Sequence, residues 1–82
     1  MNKKENEYDW DIARGNMKRL RKKAGLSLVE FGKAIGYGER TIWSIEVGRS
    51  GAKMMYVIDF CNYFKISLED LFDTNLLEKK VE

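Results

Sequence analysis

The chain has 82 residues, of which 44% are hydrophobic, 34% charged and 12% aromatic, a balance typical of one small globular domain. It contains no histidine and a single cysteine, Cys61, which excludes an internal disulfide and a metal site built on a cluster of thiolates. Its longest apolar run, residues 54–58, is far shorter than the roughly 20 residues of a membrane span, and its N-terminus has no signal-peptide pattern. We therefore expect a soluble cytoplasmic protein.

The predicted elements are helices throughout, because the chain has no proline and no strand-like alternation of useful length. The first helix is predicted from Asp9 or Asp11 to Ala24, and Asp9 is a suitable N-cap. Met17 and Leu20 recur at helical spacing and predict its buried side. The glycine that follows Ala24 is expected to end this helix.

The second helix begins at an S-x-x-E capping box formed by Ser27 and Glu30. Gly32 lies within this helix, where the missing side chain lets another helix approach closely, and Gly36 permits the sharp turn that follows. The predicted inward residues are Phe31, Ala34 and Ile35. Together with the next helix, this segment is typical of a helix-turn-helix whose helices cross at a wide angle.

The third helix is predicted from Gly38 or Glu39 to Val47, and the fourth over about residues 52–64. A fifth helix begins at Ser67, which has a weaker capping partner three residues later. These helices are expected to surround one core. The predicted division is a flexible N-terminal segment at 1–8, a helix-turn-helix domain at 9–73 and a C-terminal tail at 74–82, for which an extension of the fifth helix and a dimer contact are the two alternatives.

The charge is segregated along the chain although the formal net charge is only +2. Residues 14–53 hold ten basic and three acidic side chains, a net charge of +7, whereas the segments before and after them are both net acidic. A basic middle segment predicts a surface that faces a polyanion such as nucleic acid. Solvated helix faces that are incidentally basic are an equally good interpretation of the charge alone.

An ordered set of short motifs within residues 13–73 resembles the lambda and 434 repressor-like family of XRE-type helix-turn-helix proteins. The residues that carry the resemblance are Arg21, Gly25-Leu26-Ser27, Glu30-Phe31, Ile35-Gly36, Thr41-Ile42, Ile45-Glu46, Gly48 and Ile66-Ser67-Leu68-Glu69-Asp70-Leu71-Phe72. The resemblance implies an all-α fold, a compact five-helix lambda-repressor-like domain that contains the helix-turn-helix. It also implies a dimeric, sequence-specific regulator of transcription that binds double-stranded DNA, which we expect to act as a repressor.

The resemblance implies that the helix at 39–47 lies in the major groove and reads base edges. The base contacts that it implies are Glu39, Arg40, Trp43 and Ser44. The DNA phosphate contacts that it implies are Ser27, Gly38, Thr41, Arg49, Ser50 and Lys53. A structural ion pair between Arg21 and Glu46 is implied as well, and a homodimer interface at Phe72, Leu76 and Leu77.

A second hypothesis is a protein-interaction module on the same fold, such as an anti-repressor, an antitoxin or an accessory subunit. Leu28 stands where the family usually has glutamine, and with Trp43 and Val47 it forms an apolar edge that fits a protein partner. Packing against neighbouring side chains is the alternative role of Trp43. An enzyme is not expected, because no nucleophile and base are paired in the sequence, and no cofactor, metal, membrane or small-molecule ligand is expected either.

Overall fold

The computed structural model describes residues 8–79, so the predicted flexible segment at 1–8 lies outside the described residues except for Tyr8. The described part of the chain is all-helical and contains no strand. None of its helices is long and apolar enough to cross a membrane. The helices are α1 (Trp10–Lys23), α2 (Leu28–Ile35), α3 (Glu39–Glu46), α4 (Met54–Phe64), α5 (Leu68–Leu71) and α6 (Leu76–Lys79).

Local capping explains where three of these helices begin. The Asp9 carboxylate accepts a hydrogen bond from the backbone at the start of α1. Ser27 and Glu30 form the predicted capping box, in which the Ser27 hydroxyl accepts from the Glu30 amide at 3.0 Å and the Glu30 carboxylate accepts from the Ser27 amide at 2.9 Å. Ser67 and Asp70 form a second box with the same geometry. Each box satisfies two backbone donors that a helix start otherwise leaves free.

The core lies between α1, α2, α3 and α4, with α5 and α6 closing one end. Met17, Phe31, Ile42 and Phe60 are fully buried and contribute one side chain from each of the four longer helices. Ala34 was predicted to face inward and is exposed. The buried face of α2 is centred on Phe31 and Gly32, and the helical rotation carries Ala34 beyond the edge of that face.

The turn between α2 and α3 depends on two glycines. Gly36 has a φ of +89° and ends α2 in the left-handed conformation. A Cβ added at Gly32 would lie only 2.4 Å from the carbonyl oxygen of Tyr37, whereas the nearest atom of Ile42 in α3 would be 3.5 Å away. The close approach predicted at Gly32 is therefore made by the backbone of the turn, and α3 itself keeps an ordinary contact distance.

The C-terminal part of the described chain folds back onto α1. Asn16 is buried in α1, and its Nδ2 donates to the carbonyl oxygens of Leu71 at 2.7 Å and Asp73 at 2.9 Å. Leu76 is fully buried and Phe72 is nearly so, since the rings of Tyr8 and Trp10 pack edge-on against Phe72.

This packing affects both expectations for the C-terminal tail, the extension of the fifth helix and the dimer contact. The tail does not extend α5 within the described residues, because α5 ends at Leu71 and α6 is a separate helix that contacts α1. Of the residues expected in a dimer interface, Phe72 and Leu76 lie in the core of the single chain and Leu77 is partly buried. Burial within one chain leaves Phe72 and Leu76 little surface for contact with a second copy.

Candidate nucleic-acid interface

Helix α3 presents one face to the core and the other to solvent. Ile42 and Ile45 are buried, while Glu39, Arg40 and Trp43 are exposed. This arrangement follows from the helical spacing of two β-branched apolar residues among polar ones. The exposed side is therefore free to contact another molecule, and the buried side fixes how that face is oriented.

A buried ion pair fixes the orientation of α3. Arg21 in α1 donates to the Glu46 carboxylate through two nitrogens, with Nε 2.8 Å from Oε2 and Nη2 3.0 Å from Oε1. Both side chains are less than one tenth exposed. The remaining Nη1 donates to the carbonyl oxygen of Leu26 at 2.8 Å, just before α2. One guanidinium group thus links α1, the start of α2 and the end of α3. The hydrogen bond to Glu46 also raises the pKa of Arg21.

Two tyrosines connect the turn before α3 to α4. The Tyr37 hydroxyl donates to the Asp59 carboxylate at 2.7 Å, which raises the pKa of Tyr37. The Tyr37 ring packs edge-on against Tyr56, at a centroid distance of 5.0 Å. Tyr56 is buried, and burial raises the pKa of its phenol far above the ordinary value, with a further contribution from nearby Glu46. These contacts hold the turn against α4 and thereby fix where α3 begins.

Glu39, Arg40 and Trp43 line one depression together with Leu28, with a volume of about 380 Å³. Three of the four residues expected to contact bases therefore share one concave surface. Within residues 8–79, neither Glu39 nor Arg40 forms an ion pair or a side-chain hydrogen bond. Their acceptor and donor groups are consequently available for base edges, for which a carboxylate and a guanidinium are suitable partners.

Ser44, the fourth expected base contact, is engaged elsewhere. Its hydroxyl lies 2.7 Å from the hydroxyl of Ser50, and its carbonyl oxygen accepts from the amides of Arg49 at 2.9 Å and Ser50 at 3.3 Å. Ser44 is half-buried and does not line the depression beside α3. It folds the loop after α3 back onto the last turn of that helix.

Of the six residues expected to contact phosphates, three line one depression, a fourth lies next to Trp43, and the last two lie at helix starts. Thr41, Ser50 and Lys53 line a second depression of about 320 Å³ beside the loop after α3. The Arg49 guanidinium carbon lies 5.7 Å from the centre of the Trp43 ring, a cation–π distance that places Arg49 next to the residues expected to contact bases.

Gly38 and Ser27, the remaining expected phosphate contacts, lie at helix starts. Gly38 precedes α3 and gives it no side-chain cap, so the amides of the first turn of α3 are free of such a cap. In the capping box of α2, the Ser27 amide is a donor and the Ser27 hydroxyl oxygen is an acceptor. The hydroxyl proton is not used there and is available for a phosphate.

Several contacts of the site had no signal in the sequence. Nothing in the spacing of Trp43 and Arg49, or of Ser44 and Ser50, indicates that these pairs meet, because the loop that joins them has no regular period. Tyr37 and Asp59 are 22 positions apart on different elements. These contacts can be identified only from the three-dimensional path of the turn and the loop.

A third concave surface lies away from α3 and is apolar. Its rim is formed by exposed side chains of Tyr8, Trp10, Met54 and Leu68, and Met54 is 65% exposed. Buried Val57 and Phe72 contribute to its floor, and its volume is about 140 Å³. None of its lining residues carries a charge. We call this surface the apolar groove.

Comparisons with known proteins agree with this geometry. A family model described as a helix-turn-helix domain matches residues 15–73, which begin within α1 and include all of α2 to α5. The match contains both depressions beside α3. No curated protein and no solved structure matches the chain.

Proposed function

We propose that this chain, which belongs to the helix-turn-helix domain family, is a sequence-specific regulator of transcription that binds double-stranded DNA. The observation that carries the proposal is the depression in which Glu39, Arg40 and Trp43 stand exposed on one face of α3, with Glu39 and Arg40 free of side-chain partners within residues 8–79. A buried ion pair holds that face in a fixed orientation. A rigid helix with free polar groups on one face is suited to the major groove.

The chemistry of each side chain defines its role in this proposal. Arg40 donates two hydrogen bonds to O6 and N7 of a guanine, and Glu39 accepts one from the N4 amino group of a cytosine. Thr41, Ser50 and Lys53 contact a phosphate at the second depression. Phosphate contacts position the domain on the duplex, whereas the base contacts select the sequence. We expect the protein to act in the cytoplasm as a repressor that occupies its site.

The decisive experiment is selection from a pool of random duplex DNA, with sequencing of the bound fraction as salt is raised. We expect a short inverted repeat to be enriched and to survive at salt concentrations that remove bound DNA of unrelated sequence. Binding that disappears near physiological salt without an enriched sequence would contradict the proposal. The basic segment would then be a generic polyanion surface.

Arg40→Ala and Lys53→Ala should have distinguishable effects on DNA binding. Loss of Arg40 is expected to weaken binding to the selected site by about 10- to 100-fold and to abolish the preference for guanine at one position. Loss of Lys53 should weaken binding to all sequences alike and reduce the dependence of affinity on salt by about one ion. Titration of both variants against the selected and a scrambled duplex, at several salt concentrations, separates the two effects.

We also propose that the protein binds DNA as a homodimer, with half-sites about one helical turn, roughly 34 Å, apart. The apolar groove is the surface that we assign to the contact, because its exposed rim is uncharged and an isologous interface sets the same surface of two copies against each other. Of the contact residues expected from the sequence, Phe72 lies in the floor of this groove, whereas Leu76 is fully buried and does not line it.

Met54→Glu should therefore shift the protein from dimer to monomer. A carboxylate at a side chain that is 65% exposed leaves the monomer fold intact but is costly to bury in an apolar interface. Sedimentation measurements over a range of concentrations test this effect. Met55→Glu is the matched control, because Met55 is adjacent and similarly exposed, at 61%, but does not line the groove. If Met54→Glu dimerised as strongly as Met55→Glu, the assignment of the contact to the apolar groove would be wrong.

A protein-interaction module is the second candidate function. The exposure of Trp43 and Val47, 40% and 47%, favours it, because an apolar surface beside α3 can accept a protein. Under this alternative, Trp43→Ala abolishes the interaction while Arg40→Ala is neutral. If the selection experiment enriches no sequence, these two variants should be compared for binding to a protein partner.

A further inference from the structure

We infer that the depression beside α3 recognises 5-methylcytosine in the major groove. This inference rests on the proposed DNA binding and specifies the base that the site prefers. It follows from an unusual combination of side chains in one concave surface: two apolar walls, Leu28 and Trp43, next to a free carboxylate, Glu39. Each of these groups matches a different feature of the same modified base.

The carboxylate side of the depression selects for an amino group. The Glu39 carboxylate only accepts hydrogen bonds when ionised, and within residues 8–79 it has no ion-pair or hydrogen-bond partner. In the major groove, cytosine presents the N4 amino donor, whereas thymine presents the O4 acceptor at the corresponding position. Glu39 is therefore attracted to cytosine and repelled by thymine.

The apolar side of the depression selects for a methyl group. Leu28 is half-buried and packs against the core, so its position is fixed, and Trp43 presents an exposed ring on the same surface. A methyl group on C5 of a pyrimidine projects into the major groove beside the exocyclic group at C4. Unmodified cytosine leaves these apolar walls without a partner, and thymine supplies the methyl group but opposes Glu39.

Only 5-methylcytosine satisfies both sides of the depression. It offers the N4 amino group to Glu39 and the C5 methyl group to Leu28 and Trp43. Arg40 lines the same surface and donates to a guanine of a neighbouring base pair, so the preferred step combines 5-methylcytosine with guanine. The Arg49 guanidinium carbon lies 5.7 Å from the centre of the Trp43 ring, so a second positive charge lies at this edge of the site.

The experiment compares selection from two random duplex pools, one made with cytosine and one with 5-methylcytosine throughout. The enriched site is then synthesised with cytosine, 5-methylcytosine or thymine at the position read by Glu39. We expect the methylated duplex to bind about fourfold more tightly per half-site than the unmethylated one, the effect of burying one methyl group. Thymine at that position should bind more weakly than either form of cytosine.

Two variants connect the preference to the depression. Leu28→Ala removes one apolar wall and should reduce the preference for the methyl group while retaining the preference for cytosine over thymine. Glu39→Gln replaces the carboxylate with an amide that both donates and accepts, so thymine should be admitted at the same position. Val29→Ala is the matched control, because Val29 is exposed on the same helix outside the depression and its loss should change neither preference.

The outcomes separate this inference from the proposed function. Sequence-specific binding that is indifferent to methylation would overturn the inference and leave the function in place. A methyl preference that persists undiminished in Leu28→Ala would overturn the assignment to this depression. If neither pool yields an enriched sequence, the proposed function fails and the inference fails with it. If Leu28→Ala does not fold, Trp43→Ala tests the same assignment, because Trp43 is the other apolar wall and is 40% exposed.

Discussion

Glu46→Ala is expected to lower the free energy of unfolding by about 3–5 kcal/mol, because it leaves the Arg21 guanidinium buried without its charged partner. A domain of this size has a total stability of about 4–12 kcal/mol, so the variant should lose a large share of it and unfold at a much lower urea concentration. Urea denaturation followed by circular dichroism measures the effect. A loss below about 1 kcal/mol would show that Arg21 escapes to solvent and that the pair contributes little to the fold.

Two further variants determine whether the effect comes from an unpaired charge. The combined replacement of Arg21→Met and Glu46→Leu should recover much of the lost stability, because apolar side chains of similar volume avoid burying a lone charge. Asp11→Ala breaks an exposed ion pair with Arg14 and should change stability by no more than about 1 kcal/mol. If Asp11→Ala lowered the free energy of unfolding as much as Glu46→Ala, burial of the charge would not explain the effect of Glu46→Ala.

Gly32→Ala is expected to destabilise the fold by about 3 kcal/mol, although alanine is ordinarily the better helix former by about 1 kcal/mol. The added Cβ would lie 2.4 Å from the Tyr37 carbonyl oxygen, which is a backbone atom that cannot rotate away. The turn must therefore move, and α3 moves with it. Thermal denaturation checks the loss of stability, and DNA binding by the folded fraction checks the displacement of α3.

Gly15→Ala is the matched control for this prediction. Gly15 lies within α1, and the three atoms nearest to an added Cβ all belong to the guanidinium of Arg19, at 3.2 Å and beyond. This guanidinium is the end of an exposed side chain and donates one hydrogen bond to Asn16, so it can shift at small cost. This variant should be neutral or more stable by up to about 1 kcal/mol. Destabilisation of both variants to the same extent would indicate a general intolerance of alanine and would contradict the argument from the Tyr37 carbonyl.

The sequence predicted those parts of the fold that depend on neighbouring residues. The capping box at Ser27 involves a partner three positions away, and the left-handed turn at Gly36 depends on one residue, so both could be identified from a short window. The bond from Asn16 to the carbonyl of Leu71 joins residues 55 positions apart and has no local signature. The burial of Leu76 is equally a product of tertiary packing.

The candidate site shows the same division. Helical spacing was sufficient to place Glu39, Arg40 and Trp43 on one exposed face, because Ile42 and Ile45 mark the core side of the same helix. Spacing did not reveal that the Ser44 hydroxyl is engaged by Ser50, since that contact depends on the path of an irregular loop. The assignments of these residues to bases and phosphates remain predictions until a complex with DNA is measured.

The two faces of α3 are subject to separate constraints on sequence change. Residues that orient the helix, such as Ile42 and Glu46, are buried, whereas Glu39, Arg40 and Trp43 support no part of the core. Substitutions at exposed positions of this kind usually alter stability by less than about 0.5 kcal/mol. Under the proposed function, a lineage could therefore exchange the exposed residues and acquire a new DNA sequence preference without first acquiring stabilising mutations. A designer could likewise place a different set of exposed residues on the same core.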